Sequence, residues 1–118
     1  MKNRPFRQRL GFALAGVGAV WRREKSFRTQ TLLAVGAVAL VALLRPGLVW
    51  AALVVVVIAL VLALEMVNAA IEYMIDHIHP DVAPEIRRAK DVAAAAVLVA
   101  SAGAAAVGLL MIIDWLRS

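Results

Sequence analysis

Three long apolar runs, separated by short polar segments, dominate the pattern of the chain. The first covers residues 31–44, and it becomes long enough to span a membrane if the preceding turn joins it and Arg28 extends its charged group to the interface. The second begins at Leu48 and continues to Leu64 without a charge or a helix breaker, and the third ends near Ile113. The pattern therefore predicts three membrane helices, at residues 28–46, 48–76 and 90–113.

The segment before the first span has a different pattern. Residues 5–25 place apolar side chains at spacings of three and four between arginine-rich ends, which indicates an amphipathic helix lying in the membrane interface. A charged turn follows and contains Glu24, the only acid before Glu65. On its residues alone, Glu24 is a solvated partner for a neighbouring arginine. We predict an all-α integral membrane protein in which residues 1–118 form one domain.

Four polar residues follow the second apolar run within the same predicted helix. At about 100° per residue they fall within roughly 80° of one another on one helix face. We call this set the polar stripe: Glu65, Asn68, Glu72 and Asp76. Charged side chains at membrane depth are costly and usually functional. The polar stripe is therefore the first candidate for a functional site.

Composition and charge support a membrane protein and set its orientation. The chain is 64% hydrophobic, above the 45–50% typical of soluble domains, and it contains no cysteine. A net charge of +5 in so apolar a chain indicates topology and anionic lipid rather than a nucleic-acid partner. The N-terminal segment and the 76–91 loop hold eleven of the thirteen Lys and Arg residues. Both are therefore predicted to be cytoplasmic.

The third apolar run has small residues at a strict four-residue spacing. They are Ala96, Ala100, Ala104 and Gly108. Such a row allows close helix packing in lipid, which favours a bundle completed by other copies of the chain. An alanine-rich helix also produces this spacing by chance, so the pattern alone leaves both interpretations open.

The oxygen atoms of the polar stripe determine the chemistry that it can support. Carboxylates and a carboxamide are hard ligands that suit Mg²⁺, which typically binds one or two carboxylates together with substrate phosphates. Glu65 lies about 10 Å deeper than Glu72 along the helix. A carboxylate at that depth is partly desolvated and suited to take a proton from a lipid hydroxyl. With Arg87, Arg88 and Lys90 able to hold phosphates, the pattern favours phosphoryl transfer from a magnesium nucleotide to a lipid alcohol.

Two other functions fit the same polar stripe. Polar side chains on one helix face can conduct ions or protons, or they can join helices by hydrogen bonds. The chain has no glycine-rich nucleotide motif, since Gly16-Val-Gly18 lacks the strand context that such motifs need. His77 and His79 lie beside prolines, where histidines are usually solvated, so metal binding by them is the less favoured interpretation.

Three segments of the chain form a set of motifs in a fixed order. They are Trp21-Arg22-Arg23-Glu24-x-x-Phe27-Arg28, Glu65-x-x-Asn68-x-Ala70-Ile71-Glu72-x-x-x-Asp76 and Ala89-Lys90-Asp91-x-Ala93-Ala94-Ala95-Ala96-Val97. Together they resemble the motifs of the prokaryotic diacylglycerol kinase family, which includes the undecaprenol kinases. The resemblance covers nearly the whole chain: a surface helix, three spans, and a motif divided between the second and third spans.

The resemblance implies a membrane lipid kinase that uses ATP and Mg²⁺ and forms a homotrimer with sites shared between subunits. The implied site residues are Glu65 as general base, Glu24 and Glu72 as Mg²⁺ ligands and ATP contacts, Lys90 and Asp91 as further ATP contacts, and Asn68, Asp76 and Arg28 as orienting or substrate-binding residues. Glu24, a surface acid on its residues alone, thereby becomes a site residue.

The expected acceptor is diacylglycerol, which would be converted to phosphatidic acid, and undecaprenol is the alternative. A small oligomeric ion or proton channel is the alternative outside the enzymes. The expected location is the bacterial cytoplasmic (inner) membrane, which the chain would cross several times.

Overall fold

The computed structural model describes residues 3–78 and 83–118, and nearly all of them are helical. The helices are α1 (Phe6–Arg23), α2 (Lys25–Leu44), α3 (Leu48–Ile78) and α4 (Pro84–Arg117). There is no strand in the part of the chain that is described. The predicted all-α architecture, with three spans after an N-terminal helix, is confirmed.

Helices α2, α3 and α4 are each long and apolar enough to cross a membrane. They contain 20, 31 and 34 residues. At 1.5 Å per residue, α3 and α4 are longer than the roughly 30 Å hydrocarbon core of a bilayer. Parts of α3 and α4 therefore extend beyond the bilayer, and the polar stripe lies on the C-terminal part of α3.

The polar segment between α3 and α4 is more helical than the sequence pattern predicts. We predicted a loop from Asp76 to Asp91, but α3 continues to Ile78 and α4 begins at Pro84. Proline is favourable at the first position of a helix, and an acid such as Glu85 stabilises the first turn. Residues 84–89, which lie before the third helix predicted at 90–113, consequently belong to α4.

Two short breaks separate the first three helices. The first break is a single residue, Glu24, whose backbone is extended (φ −108°, ψ 106°). It follows the last residue of α1 and precedes the first residue of α2. At the other end of α2, Arg45 is left-handed and its amide donates to the Val41 carbonyl at 2.9 Å. Pro46 cannot continue that helix, and Gly47 has a φ of 114°, which glycine adopts without strain. These breaks fold α1, α2 and α3 back on one another.

The protein buries few side chains within one chain. One cluster joins the α1–α2 junction to α3 and consists of buried Val20, Phe27 and Ala69 with Leu62, Met66 and Tyr73 packed against them. Val54, Val61 and Met111 are buried outside this cluster. Most of the other apolar surface of the spans is exposed, and only 6% of the most apolar stretch of α2 is buried. Such surfaces suit contact with lipid or with other membrane helices.

The small residues of the third apolar run face the inside of the protomer. Ala96, Ala100, Ala104 and Gly108 are half-buried, and α3 is the main packing partner of α4. At Gly108, however, an added Cβ atom would meet nothing within 4 Å, so packing within one chain does not require a small residue at that position.

At the far end of the bundle, two tryptophans join the helices. The indole nitrogen of Trp50 donates to the Asp114 carboxylate at 2.9 Å, and that of Trp115 donates to the Leu44 carbonyl at 2.9 Å. Amphipathic tryptophan rings are favoured at membrane interfaces. The two contacts hold α2, α3 and α4 together at the end opposite the polar stripe.

Candidate active site

The α1–α2 junction brings Glu24 to the polar stripe. Val20 and Phe27 lie on either side of Glu24 in the chain, and both are buried against α3 around Ala69, which is 1% exposed. A small side chain at position 69 lets the junction approach α3 closely. Glu24, at the break between two helices anchored in this way, is thereby held beside the C-terminal half of α3.

Glu65 is the buried charge of the protein. It is 6% exposed, and no other charged or polar residue in the described ranges is buried. The hydroxyl of Ser26, near the start of α2, donates to Oε2 of Glu65 at 3.1 Å. A hydrogen bond to one carboxylate oxygen fixes the orientation of the side chain and leaves the other oxygen for a further partner.

Sequence reasoning missed Ser26, because a single serine at the start of a membrane helix carries no recognisable signal. Its contact with Glu65 joins residues 39 positions apart and depends on how α2 packs on α3.

Asn68 and Glu72 form the next level of the polar stripe. The Asn68 amide nitrogen donates to Oε1 of Glu72 at 3.4 Å. The amide oxygen of Asn68 is buried and has no hydrogen-bond partner within residues 3–78 and 83–118. A buried oxygen without a partner is unfavourable unless a ligand or water completes it. This oxygen is therefore available to bind a ligand.

Tyr73 on α3 lies close enough to Glu24 and Glu72 to be influenced by the charge of both. The charged groups around its hydroxyl are Glu24, Arg23 and Glu72, and the guanidinium of Arg23 stacks 5.4 Å from the ring centroid. The hydroxyl is buried and makes no hydrogen bond of standard geometry to any described residue. Sequence reasoning also missed Tyr73, whose proximity to Glu24 depends on the packing of the α1–α2 junction against α3.

The remaining predicted site residues make contacts away from Glu65. Lys90 on α4 forms an ion pair with Asp76 at the end of α3, with 3.5 Å between Nζ and Oδ1. Asp91 is exposed. Arg28 donates to the backbone carbonyls of Trp21 and Arg22 at 2.6 and 3.1 Å, so it closes the C-terminal end of α1. Its assignment to substrate binding stays a prediction.

The described part of the chain contains no complete metal site. No group of three or more His, Asp or Glu side chains within it has the arrangement of a metal site. His77 is exposed, and His79 lies outside the described residues. One chain thus offers a buried carboxylate at Glu65 and a group of oxygens one to two turns away.

Comparison with known proteins supports the sequence motifs. A model of the family described as prokaryotic diacylglycerol kinase matches residues 11–112. The chain is 32% identical to the diacylglycerol kinase of Escherichia coli K12 over 90 residues, which make up 76% of this chain and 74% of that enzyme. It is 37% identical to the diacylglycerol kinase of Pseudomonas aeruginosa over 90 residues, or 76% and 73% of the two chains. The matched region contains all of α2 and α3, most of α1 and α4, and every proposed site residue. The chain belongs to the prokaryotic diacylglycerol kinase family of lipid kinases.

Proposed function

We propose that the protein transfers the γ-phosphate of ATP to the free hydroxyl of a membrane lipid, with diacylglycerol as the acceptor and Glu65 as general base. The observation that carries this proposal is the buried Glu65 carboxylate held by Ser26. Oε2 accepts the Ser26 hydroxyl, so Oε1 can accept a hydrogen bond from the lipid hydroxyl and take its proton as the phosphate transfers.

The residues above Glu65 fit a magnesium ion. Glu24 and Glu72 both act electrostatically on the Tyr73 hydroxyl, and the Asn68 amide oxygen has no partner within the described ranges. This oxygen-only donor set is of the kind that Mg²⁺ prefers, and two carboxylates are typical for an ion that also binds ATP phosphates. When bound, the ion would neutralise phosphate charge. Glu24 and Glu72 would hold it, and the second amide hydrogen of Asn68 would donate to a γ-phosphate oxygen and orient it.

We propose that Lys90 and Asp91 of a neighbouring subunit complete the ATP site in a homotrimer. Within one chain, Lys90 forms an ion pair with Asp76, and Asp91 is exposed. The proposed base, Glu65, is instead hydrogen-bonded to Ser26. The exposed apolar surfaces of the spans leave ample area for contacts between subunits.

Subunit mixing tests the shared site. Glu65→Gln and Asp91→Asn chains are each expected to be inactive alone. When they are co-expressed in equal amounts in a cyclic assembly, about a quarter of the sites should combine an intact Glu65 with an intact neighbouring Asp91. The measurement is kinase activity of the mixed oligomers relative to wild type.

The matched control for this experiment is a mixture of Glu65→Gln and Glu72→Gln chains. Both residues lie on the same α3, so no mixed site is intact and no activity should return. Absence of recovery in the Glu65–Asp91 mixture as well would contradict a site shared in this way.

We also propose that the polar stripe and the N-terminus lie on the cytoplasmic side of the bacterial inner membrane, where ATP is available. The basic N-terminal segment and the basic start of α4 support this orientation. Three spans then place the C-terminus outside. Because the chain has no cysteine, Ser118→Cys provides a unique label. It should react with a membrane-impermeant thiol reagent added to spheroplasts, whereas labelling only after lysis would reverse the orientation.

The kinase and the channel alternative differ in their energy requirement. Purified protein in lipid vesicles should release ADP from ATP only when a lipid alcohol is present. Ion or proton flux without ATP consumption, and with no lipid-dependent ADP release, would favour a channel that uses the same acidic residues.

A further inference from the structure

A cavity of about 300 Å³ lies between α2, α3 and α4, directly below Glu65. Its α3 wall includes Val61, which precedes Glu65 by one helical turn, or about 6 Å. Its α2 wall includes Gln30, one turn beyond the Ser26 that bonds Glu65. Both helices therefore place the cavity next to the proposed base and toward the membrane centre. Most of its lining is aliphatic, as a site for lipid chains requires.

Two polar side chains interrupt this aliphatic lining. The amide nitrogen of Gln30 donates to the hydroxyl oxygen of Ser101 at 3.2 Å, joining α2 to α4. This bond uses one of the two amide hydrogens of Gln30 and leaves the hydroxyl hydrogen of Ser101 free. Neither donor makes a further side-chain hydrogen bond within residues 3–78 and 83–118. Spare donors at membrane depth are unfavourable unless a ligand supplies an acceptor.

We propose that the cavity holds a glyceride acceptor and that the Gln30–Ser101 pair donates a hydrogen bond to one of its ester carbonyls. This inference rests on the proposed function. In 1,2-diacylglycerol one ester group is attached to the carbon next to the one that bears the free hydroxyl, so its carbonyl is only a few bonds from that hydroxyl. With that hydroxyl at Glu65, a carbonyl comes to lie one helical turn deeper, where the pair is. A polyprenol has no carbonyl to accept these hydrogen bonds, so the pair selects glycerides as the substrate class.

Matched lipids test this inference. One is 1,2-dioleoyl-glycerol, and the other is the diether with the same chains, which keeps the hydroxyl but lacks both carbonyls. The wild-type enzyme should use the diester with a kcat/KM about three- to tenfold higher, the range expected for one hydrogen bond. Gln30→Leu should lower kcat/KM for the diester and leave kcat/KM for the diether unchanged. The ratio of the two kcat/KM values, diester to diether, should therefore fall close to one. Ser101→Ala should lower the ratio in the same direction.

Thr31→Val is the control variant. It removes a hydroxyl from the neighbouring position on α2, where that hydroxyl donates to the Phe27 carbonyl at 2.8 Å and does not line the cavity. The ratio should stay at the wild-type value. Turnover of the diether shows in every variant that the protein is folded.

Three results would overturn the inference. Equal kcat/KM values for diester and diether in the wild type would exclude recognition of a carbonyl. If Gln30→Leu and Ser101→Ala both kept the wild-type ratio of kcat/KM for diester to diether, the selectivity would depend on other residues. The cavity would then be assigned to contact with a second copy of the chain. Failure of the wild type to phosphorylate either lipid would instead overturn the proposed function, and this inference with it.

Discussion

Replacing Glu65 by Gln should lower kcat for lipid phosphorylation by about 10³-fold, within the range for removal of a general base. Glutamine keeps the shape of the side chain and can still accept the Ser26 hydrogen bond, so the packing of α2 on α3 is preserved. What is lost is the carboxylate that we propose takes the hydroxyl proton. ATP binding, measured by equilibrium dialysis, should be unchanged because the proposed nucleotide contacts lie at the other end of the polar stripe.

A second variant separates the base from its support. Ser26→Ala removes only the hydrogen bond to Glu65, so kcat should fall by about tenfold, less than in Glu65→Gln. Glu85→Gln, which neutralises an exposed acid at the start of α4, should retain wild-type turnover. Near-normal turnover of Glu65→Gln in detergent micelles would contradict the assignment of the base.

Replacing Glu72 by Gln should change the response to magnesium. Glu72 is one of two carboxylates near Tyr73, and it accepts the Asn68 amide at 3.4 Å. Loss of one carboxylate should raise the Mg²⁺ concentration for half-maximal activity by about 10- to 100-fold and lower kcat as well. Activity measured against Mg²⁺ at saturating ATP checks this.

Glu24→Gln should shift the magnesium response in the same direction, because the junction holds Glu24 beside the same hydroxyl. The Glu85→Gln enzyme should show the wild-type magnesium curve. If Glu72→Gln lost activity with an unaltered magnesium curve, Glu72 would not be a metal ligand, and an orienting role beside Asn68 would replace that assignment.

Apolar run length was enough to predict the three spans, and the spacing of polar residues was enough to predict the polar stripe. Both depend on local periodicity, and a run without charge has few alternatives to a membrane helix. The start of α4 was not predictable in this way. Hydropathy locates the bilayer, whereas Pro84 and the residues after it decide where the helix begins.

The site itself was only partly predictable. The different depths of Glu65 and Glu72 on one helix were enough to predict different roles for them. Glu24 had no local signal and was predicted as a site residue only from the family motif. Ser26 and Tyr73 were missed because their roles depend on the packing of the α1–α2 junction around Ala69. The Gln30–Ser101 bond likewise joins residues 71 positions apart. Contacts between helices, unlike the helices themselves, leave little trace in a single sequence.

If Glu65 is the general base for phosphoryl transfer to a lipid hydroxyl, phosphate should reach the lipid only when this carboxylate is present. Purified wild-type and Glu65→Gln proteins are incubated with ATP labelled at the γ-phosphate and vesicles that contain diacylglycerol. We expect labelled phosphatidic acid from the wild type and almost none from Glu65→Gln. Absence of labelled lipid from the wild-type protein, or equal labelling by the two proteins, would contradict this role of Glu65.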